Sequence, residues 1–298
     1  MFSILIPVFN YPVSDLVHKL LHMGRKLDTP FEIILGDDGS PDVARTGIEG
    51  LDKIPEITIY RMNHNTGRSA IRNFLGSKAN FEHLLFLDDD GWPESENFLL
   101  QYVNIAQQHD VICGGRSYSQ EKPSDKSKYL HWLYGSKREV QASSERNLKP
   151  YEGFQTNNFW IRKSVFISTG FDTRIKSYGH EDTLFGYELQ KQGVHIHHID
   201  NPMRHLGLVS NVEFLEKTKL ALQNLAFLQD SGSDIETKLS KTFESIADKK
   251  LLTLSRISLR VIISVLEQNL LSKNPLLTAL DTYKLYHYMD YISKMNPK

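Results

Sequence analysis

Three consecutive carboxylates, Asp88-Asp89-Asp90, follow the apolar run His83-Leu84-Leu85-Phe86-Leu87. At neutral pH such a cluster repels itself. A hard divalent cation, Mn²⁺ or Mg²⁺, relieves that repulsion, and carboxylate oxygens are its preferred ligands. If strand alternation continues past Leu87, Asp88 and Asp90 share one face. By itself the triplet fits a solvated acidic turn ahead of Ser95 equally well. A second pair, Glu181-Asp182, stands at the start of a helical pattern, flanked by Gly179 and Gly186 in the segment from Ser177 to Tyr187. It suits either of two roles. It can complement the helix dipole, which the segment alone favours, or supply a general base at a substrate hydroxyl.

Other chemistries find no support. The sequence has no GxxxxGK[ST] loop, no GxGxxG after a strand and no GxSxG elbow. A phosphorylated ligand here would rely on a metal, helped by Arg68 or Arg72. The 35 Lys+Arg against 36 Asp+Glu argue against a nucleic-acid partner. One cysteine, Cys113, excludes an internal disulfide framework and a cysteine metal cage, and fits a reducing compartment. Met1 to Pro7 lacks the basic flank of a signal peptide, and Leu251 to Leu271 is interrupted by Arg256, Arg260 and Glu267. The expectation is a cytoplasmic protein.

The elements that must position these groups alternate in type. Strands are expected at Ser3–Phe9, Phe31–Leu35, Ile57–Tyr60, His83–Leu87, Val111–Cys113, Gly153–Arg162 and Val194–Ile199. Helices are expected at Val13–Met23, Ser69–Ala79, Ser95–His109 with Ser95 as cap, and Glu181–Gln192. The polar stretch Arg116–Pro150 reads as a long loop with a helical piece at Tyr129–Tyr134. From Asn211 the pattern is helical: Asn211–Gln229, Asp234–Lys249, Leu251–Leu271 and Pro275–Met295. This order predicts an α/β fold with a mostly parallel, Rossmann-like sheet flanked by helices, followed by an all-helical extension.

In such a sheet, ligands bind beyond the carboxyl ends of the strands. Four polar clusters fall there: Asn10-Tyr11-Pro12, Asp37-Asp38-Gly39-Ser40, Asn63-His64-Asn65-Thr66-Gly67 and Asp88-Asp89-Asp90-Gly91. A single Asp-Gly is more often a plain turn. Four clusters at equivalent ends point to a site.

Together these segments resemble glycosyltransferase family 2, whose members have the GT-A fold. Ser3 to Asn10 is similar to the family's opening strand. Asp37-Asp38-Gly39-Ser40-Pro41-Asp42 is close to DDGSxD, and Asn65 to Asn73 resembles NxGxxxARN with Ile71 where Ala is usual. Leu85 to Asp90 resembles the DxD strand, Thr156-Asn157-Asn158 to Arg162 with Gly170-Phe171-Asp172 the stretch leading to the acceptor side, and Gly179-His180-Glu181-Asp182 the ED motif. The resemblance covers about the first 210 residues. It implies a catalytic domain over 1–210, with a nucleotide-sugar half to about 115 and an acceptor half from about 116, and a helical extension over 211–298.

The resemblance implies metal-dependent inverting transfer from a nucleotide sugar, UDP-sugar favoured, to a hydroxyl of a glycan or lipid-linked acceptor in cell-surface polysaccharide synthesis. Pro7, Phe9, Asn10, Asp38, Arg72, Asp88 and Asp89 would line the nucleotide site, Asp38 at the base or ribose. Asp90 would hold Mn²⁺ or Mg²⁺. His205 resembles a histidine that completes the metal site in some relatives, and equally fits a packing role. Asp182 would deprotonate the acceptor, and Glu181 would orient it. Trp160 offers a ring face and Asn158 an amide to sugar hydroxyls, although a Trp serves more often in a core or interface and an Asn equally well in a buried turn. The alternatives are a nucleotidyltransferase, which lacks here its Gly- and Arg-rich loop after the first strand, and a non-catalytic sugar-nucleotide-binding scaffold. The C-terminal helices are expected to pack on the catalytic domain or on a second copy in a homo-oligomer. The other candidate contact is a peripheral one with a membrane.

Overall fold

The computed structural model describes residues 1–41, 47–175, 178–233 and 235–295. Along the chain come β1 (Phe2–Val8), α1 (Ser14–Gly24), β2 (Phe31–Asp37), β3 (Ile57–Arg61), α2 (Arg68–Lys78), β4 (His83–Leu87), β5 (Gly91–Pro93), α3 (Phe98–Ile105), β6 (Val111–Cys113) and β7 (Arg116–Ser117). There follow α4 (Tyr129–Tyr134), α5 (Ser143–Leu148), β8 (Asn158–Arg162), α6 (Lys163–Thr169), α7 (Glu181–Lys191), β9 (Ile196–His198) and β10 (Met203–His205). Four helices complete the chain: α8 (Asn211–Asp230), α9 (Lys238–Asp248), α10 (Leu252–Leu270) and α11 (Leu277–Met295).

The chain forms two compact units. The first comprises Met1–Ser119, Glu139–Lys176 and Glu181–Gly207. Its main sheet has seven strands in the order β3-β2-β1-β4-β8-β6-β9. β1 pairs in parallel with β2 and β4, β2 with β3, and β6 with β9; β8 runs antiparallel to both β4 and β6. A smaller sheet, β5-β10-β7, lies in the same unit.

The alternating side chains of the central strands supply two cores, which is why these strands read as continuous apolar runs. Ile4, Ile6, Ile33, Leu35, Leu85, Leu87, Ile112 and Trp160 pack with Leu16, Leu20, Phe98 and Tyr102 from α1 and α3. Leu5, Ile34, Leu84, Phe86, Val111, Cys113, Phe159 and Ile161 pack on the other face with Ile71, Leu75, Phe166, Phe185 and Leu189 from α2, α6 and α7.

The second unit comprises Gln120–Arg138, Ser177–His180 and Leu208–Lys298. Its core gathers Leu130 from α4, Leu215 from α8, Leu270 from α10, and Ala279, Leu280 and Tyr283 from α11. Among the described residues no helix is long and apolar enough to cross a membrane.

The departures from sequence expectation have local causes. The helix expected from Ser95 starts at Phe98, because Ser95 Oγ accepts from Asn97 N and closes a turn instead of capping. The strand expected from Gly153 starts at Asn158. The helix expected from Asp234, itself outside the described residues, starts at Lys238. There Thr237 and Ser240 form a reciprocal capping box. The stretch 116–150 contains β7, α4 and α5 rather than a loop with one helix. The short β5, α6 and β10 were not anticipated.

Candidate active site

The polar ends of β1 and β2 are bound together before any ligand is considered. Asp37 Oδ1 accepts from Ser40 N at 2.9 Å, and Ser40 Oγ accepts from Asn10 N at 2.9 Å. Gly39 has φ +77°, and a Cβ there would collide with the backbone of His64 and Asn65. Only glycine permits this turn to press on the 63–67 loop. Asp38 then takes hold of that loop: Oδ1 accepts from Thr66 N and Oγ1 at 2.7 and 2.6 Å, and Oδ2 from Gly67 N at 3.0 Å. With 3% of its surface exposed, Asp38 is occupied as a clamp at the start of α2. In the structure this carboxylate acts on that loop. Asp42 lies outside the described residues. Pro7 is half-buried, Phe9 and Asn10 are exposed, and Asn10 adopts φ +54°.

The acidic triplet does not extend β4. Asp88 N donates to Asn157 O and Gly91 N to Asp88 O, which closes a turn. The three carboxylates fan out to different partners, so the shared face expected for Asp88 and Asp90 is not formed by strand alternation. Asp88 Oδ1 accepts from Arg72 Nη2 at 2.8 Å, and its Oδ2 lies 3.5 Å from Arg116 Nη2. Asp89 Oδ2 accepts from Phe9 N at 3.0 Å; burial, then the Asp90 charge, pushes its carboxyl up to about 8. Asp90 Oδ1 lies 3.3 Å from His205 Nδ1. Burial raises the Asp90 carboxyl, but His205 and the guanidinium groups of Arg116 and Arg68 outweigh it and hold it at about 2.

Two residues beside the triplet were missed as individuals. Burial, followed by the charges of Asp90 and Asp89, raises the Tyr11 phenol. Arg116 is ion-paired to Asp88 and, at 3.2 Å, to Glu139, whose carboxylate also accepts from Tyr118 Oη. The Tyr118 ring meets His205 edge-on at 5.4 Å. Burial disfavours the Arg116 charge, yet Glu139 and the neighbouring acidic groups keep the guanidinium protonated.

Arg72 is almost wholly buried. It joins Asp88 to Glu181, whose Oε1 lies 3.8 Å from Nη1. The exposed Arg68 approaches the same Oε1 at 3.6 Å. Glu181 at the head of α7 is therefore buried against two guanidinium groups. Asp182 beside it is half-buried. Burial, then Glu181, pushes its carboxyl up to about 6, against the pull of Thr183 N, Arg116 and Arg72. Ser177 lies outside the described residues.

Trp160 and Asn158, expected on the acceptor side, are both buried. β8 alternation points Trp160 into the first core, where it is 1% exposed. It is stacked on Tyr102, flanked by Phe2 and His83, and donates from Nε1 to His83 Nδ1. Asn158 is fully buried, accepting from Tyr102 Oη at 2.6 Å and donating to Gly115 O and Asn201 O. Neither presents a surface to a sugar.

A buried arginine fixes the strand ends next to Arg116. Arg146 from α5 donates to Cys113 O, Ile199 O and Gln141 O. It also reaches His198 Nδ1 at 2.9 Å. Burial lowers His198 to about 4, so the ring is neutral and its Nε2 donates to Pro150 O. Nothing in the periodicity of 116–150 marks Arg146 for this role.

Among the described residues no three His, Cys, Asp or Glu side chains form a ready-made cation cage. Asp90 and His205 are nevertheless a fitting pair. Two adjacent ligands of an octahedral Mg²⁺ or Mn²⁺ stand about 3 Å apart, close to their 3.3 Å. A Cβ at Gly207 would overlap Asp90 Oδ2, so glycine leaves that oxygen its space. Hard cations of this kind commonly take one or two protein ligands and complete their shell with phosphate oxygens and water.

Residues 3–171 match the sequence profile described as Glycosyl transferase family 2. Similar proteins include a hyaluronan synthase of Pasteurella multocida, 26% identical over 235 residues, and a chondroitin synthase of Pasteurella multocida strain Pm70, 23% identical over 232 residues. Each alignment covers 67% of this chain and 24% of the relative, so the chain spans about a quarter of the length of these proteins. Among solved structures, the mannosyltransferase PcManGT from Pyrobaculum calidifontis, in complex with GDP-Man and Mn²⁺, superposes with a TM-score of 0.55 at 13% identity, covering 99% of this chain and 86% of that one. S. aureus TarS 1-349 in complex with UDP-GlcNAc gives 0.50 at 17% identity, covering 99% and 91%. These likenesses establish the GT-A type of fold, with its mostly parallel sheet flanked by helices and its helical C-terminal region. The profile match, spanning more than half of the chain, shows that it belongs to glycosyl transferase family 2.

Proposed function

We propose that the chain transfers a sugar, with inversion, from a nucleoside-diphosphate donor, UDP-sugar favoured, to a hydroxyl of a glycan or lipid-linked acceptor during polysaccharide synthesis. The observation that carries this is the chain of ion pairs Arg116–Asp88–Arg72–Glu181, which runs from the acidic end of β4, where Asp90 meets His205, to the head of α7, where Asp182 stands. A diphosphate-handling carboxylate and a poised base thus stand at the two ends of one network. The hyaluronan and chondroitin synthase relatives favour a polysaccharide product, and the UDP-GlcNAc complex of TarS favours UDP.

Asp90 and His205 would hold Mn²⁺ or Mg²⁺, which neutralises charge on the departing diphosphate when bound. Arg68, exposed at the head of α2, adds positive charge for the phosphates. Exposed Phe9 and Asn10 contact the nucleoside, and Asp38 sets the loop beside it. Asp182 takes the proton from the acceptor hydroxyl. The hydroxyl oxygen bonds to the anomeric carbon while the bond from that carbon to the diphosphate breaks, and the nucleoside diphosphate leaves. A carboxylate near pKa 6 is charged at neutral pH and is still basic enough to help. Glu181, locked by Arg72, keeps the head of α7 in place. We assign this chemistry to residues 1–210 and place it in the cytoplasm, in keeping with a single, buried Cys113.

The test is calorimetric titration of UDP with and without Mn²⁺, followed by a nucleotide-sugar panel read by donor hydrolysis. Metal-strengthened UDP binding that is lost in Asp90→Ala supports the reading. UDP binding indifferent to metal would remove the role given to Asp90.

A further inference from the structure

The α10 helix has two apolar faces, of which the second unit uses one. Ile263, Leu266 and Leu270 face the unit's own core. On the opposite side Leu254, Ile257, Val261 and Val265 recur at spacings of three and four and are 63%, 57%, 78% and 64% exposed. Such a stripe in water needs a reason.

The charges around it are one-sided. Between Lys249 and Leu276 stand Lys249, Lys250, Arg256, Arg260 and Lys273 against one acid, Glu267, in a chain whose net charge is -1. Glu267 is half-buried and pairs with Lys219 at 3.7 Å. Arg256 bonds Ser293. The exposed charges that flank the stripe are therefore Lys249 and Lys250 at one end, beside Asp248 at the close of α9, Arg260 along the side and Lys273 at the other end, so that positive charge outweighs negative.

We propose that this face of α10 docks on the surface of a bilayer containing anionic lipid. The helix would lie in the interface, with the four apolar side chains among the acyl chains and the lysines and Arg260 at the headgroups. Arg256, Arg260 and Glu267 rule out spanning. A second copy of the chain is the poorer occupant. Leu254 to Val265 covers only about 17 Å of helix, far short of a standard interface. A twofold pairing would also set Arg260 against its own mate.

Co-sedimentation of the full chain with vesicles tests this. Vesicles of phosphatidylcholine mixed with phosphatidylglycerol should retain at least about tenfold more protein than phosphatidylcholine alone, and salt should reduce the difference. Val261→Glu should abolish retention while leaving the melting temperature and UDP binding unchanged. The combined Lys249→Gln and Lys250→Gln variant should lose the preference for anionic lipid. Failure to bind either vesicle, or undiminished binding by Val261→Glu, overturns the proposal. So does a dimer of the free protein in sedimentation velocity that Val261→Glu dissolves, which would assign the face to a second copy.

Discussion

Asp88 Oδ1 accepts a 2.8 Å hydrogen bond from Nη2 of Arg72, a guanidinium 2% exposed. The same arginine lies 3.8 Å from Glu181, so one buried cation balances the end of β4 and the head of α7. Removing it takes from both carboxylates their shared buried partner and leaves Asp88 to Arg116 at 3.5 Å and Glu181 to Arg68 at 3.6 Å. Arg72→Ala should cost about 3–5 kcal/mol in stability, read from urea denaturation. Arg72→Lys should recover only part, because an ammonium cannot bridge two carboxylates as a planar fork does. A variant as stable as the wild type would show that Arg116 and Arg68 suffice.

Asp182 should set the acid limb of activity. Its folded carboxyl titrates near 6, above its unfolded value, so the folded chain holds this proton more tightly between about pH 4 and 6. Only the carboxylate accepts a proton from the acceptor. kcat/KM should therefore fall about tenfold per unit as pH drops below 6. Asp182→Asn should retain UDP binding and lose about 10²–10⁴-fold in transfer.

The same shift has a stability consequence of opposite sign. Between about pH 4 and 6 Asp182 contributes less to stability as pH rises, and at pH 7 its buried charge is a liability. Asp182→Asn should gain about 1–2 kcal/mol at pH 7 and nothing at pH 4, as thermal melts at the two pH values would show. A variant both inactive and less stable at pH 7 would mean that the carboxylate is needed structurally.

Gly207 offers a selective probe of the cation pair. Gly207→Ala places a methyl group against Asp90 Oδ2. Mn²⁺-dependent UDP affinity should fall at least about tenfold, as in His205→Ala, since fixed ligand geometry governs binding of such ions. Metal-independent nucleotide binding should stay unchanged.

Trp160 marks the limit of the sequence reading. The central strands were legible because both faces are apolar, and the carboxylate ends of β2 and β4 because Asp-Gly follows each. An aromatic next to polar Asn157 and Asn158 looks the same in sequence whether its ring faces a sugar or Tyr102; only the antiparallel pairing of β8 decides. Trp160→Ala should accordingly cost about 3–5 kcal/mol and leave acceptor KM unchanged in the folded protein. Arg116, Glu139, Tyr118 and Arg146 were illegible for a related reason. They lie in polar sequence without periodicity, and partners far along the chain define their roles.

The placement of β8 also bears on synthesis. Strands β1 to β4 can pair once residues 2–87 are made, but the sheet reaches β6 and β9 through β8, at residues 158–162. A nascent chain of intermediate length therefore carries β4 as an unsatisfied border, apolar on both faces, until some seventy further residues emerge. That interval is when this protein is most open to wrong strand pairing, and when a ribosome-associated chaperone would find most to hold.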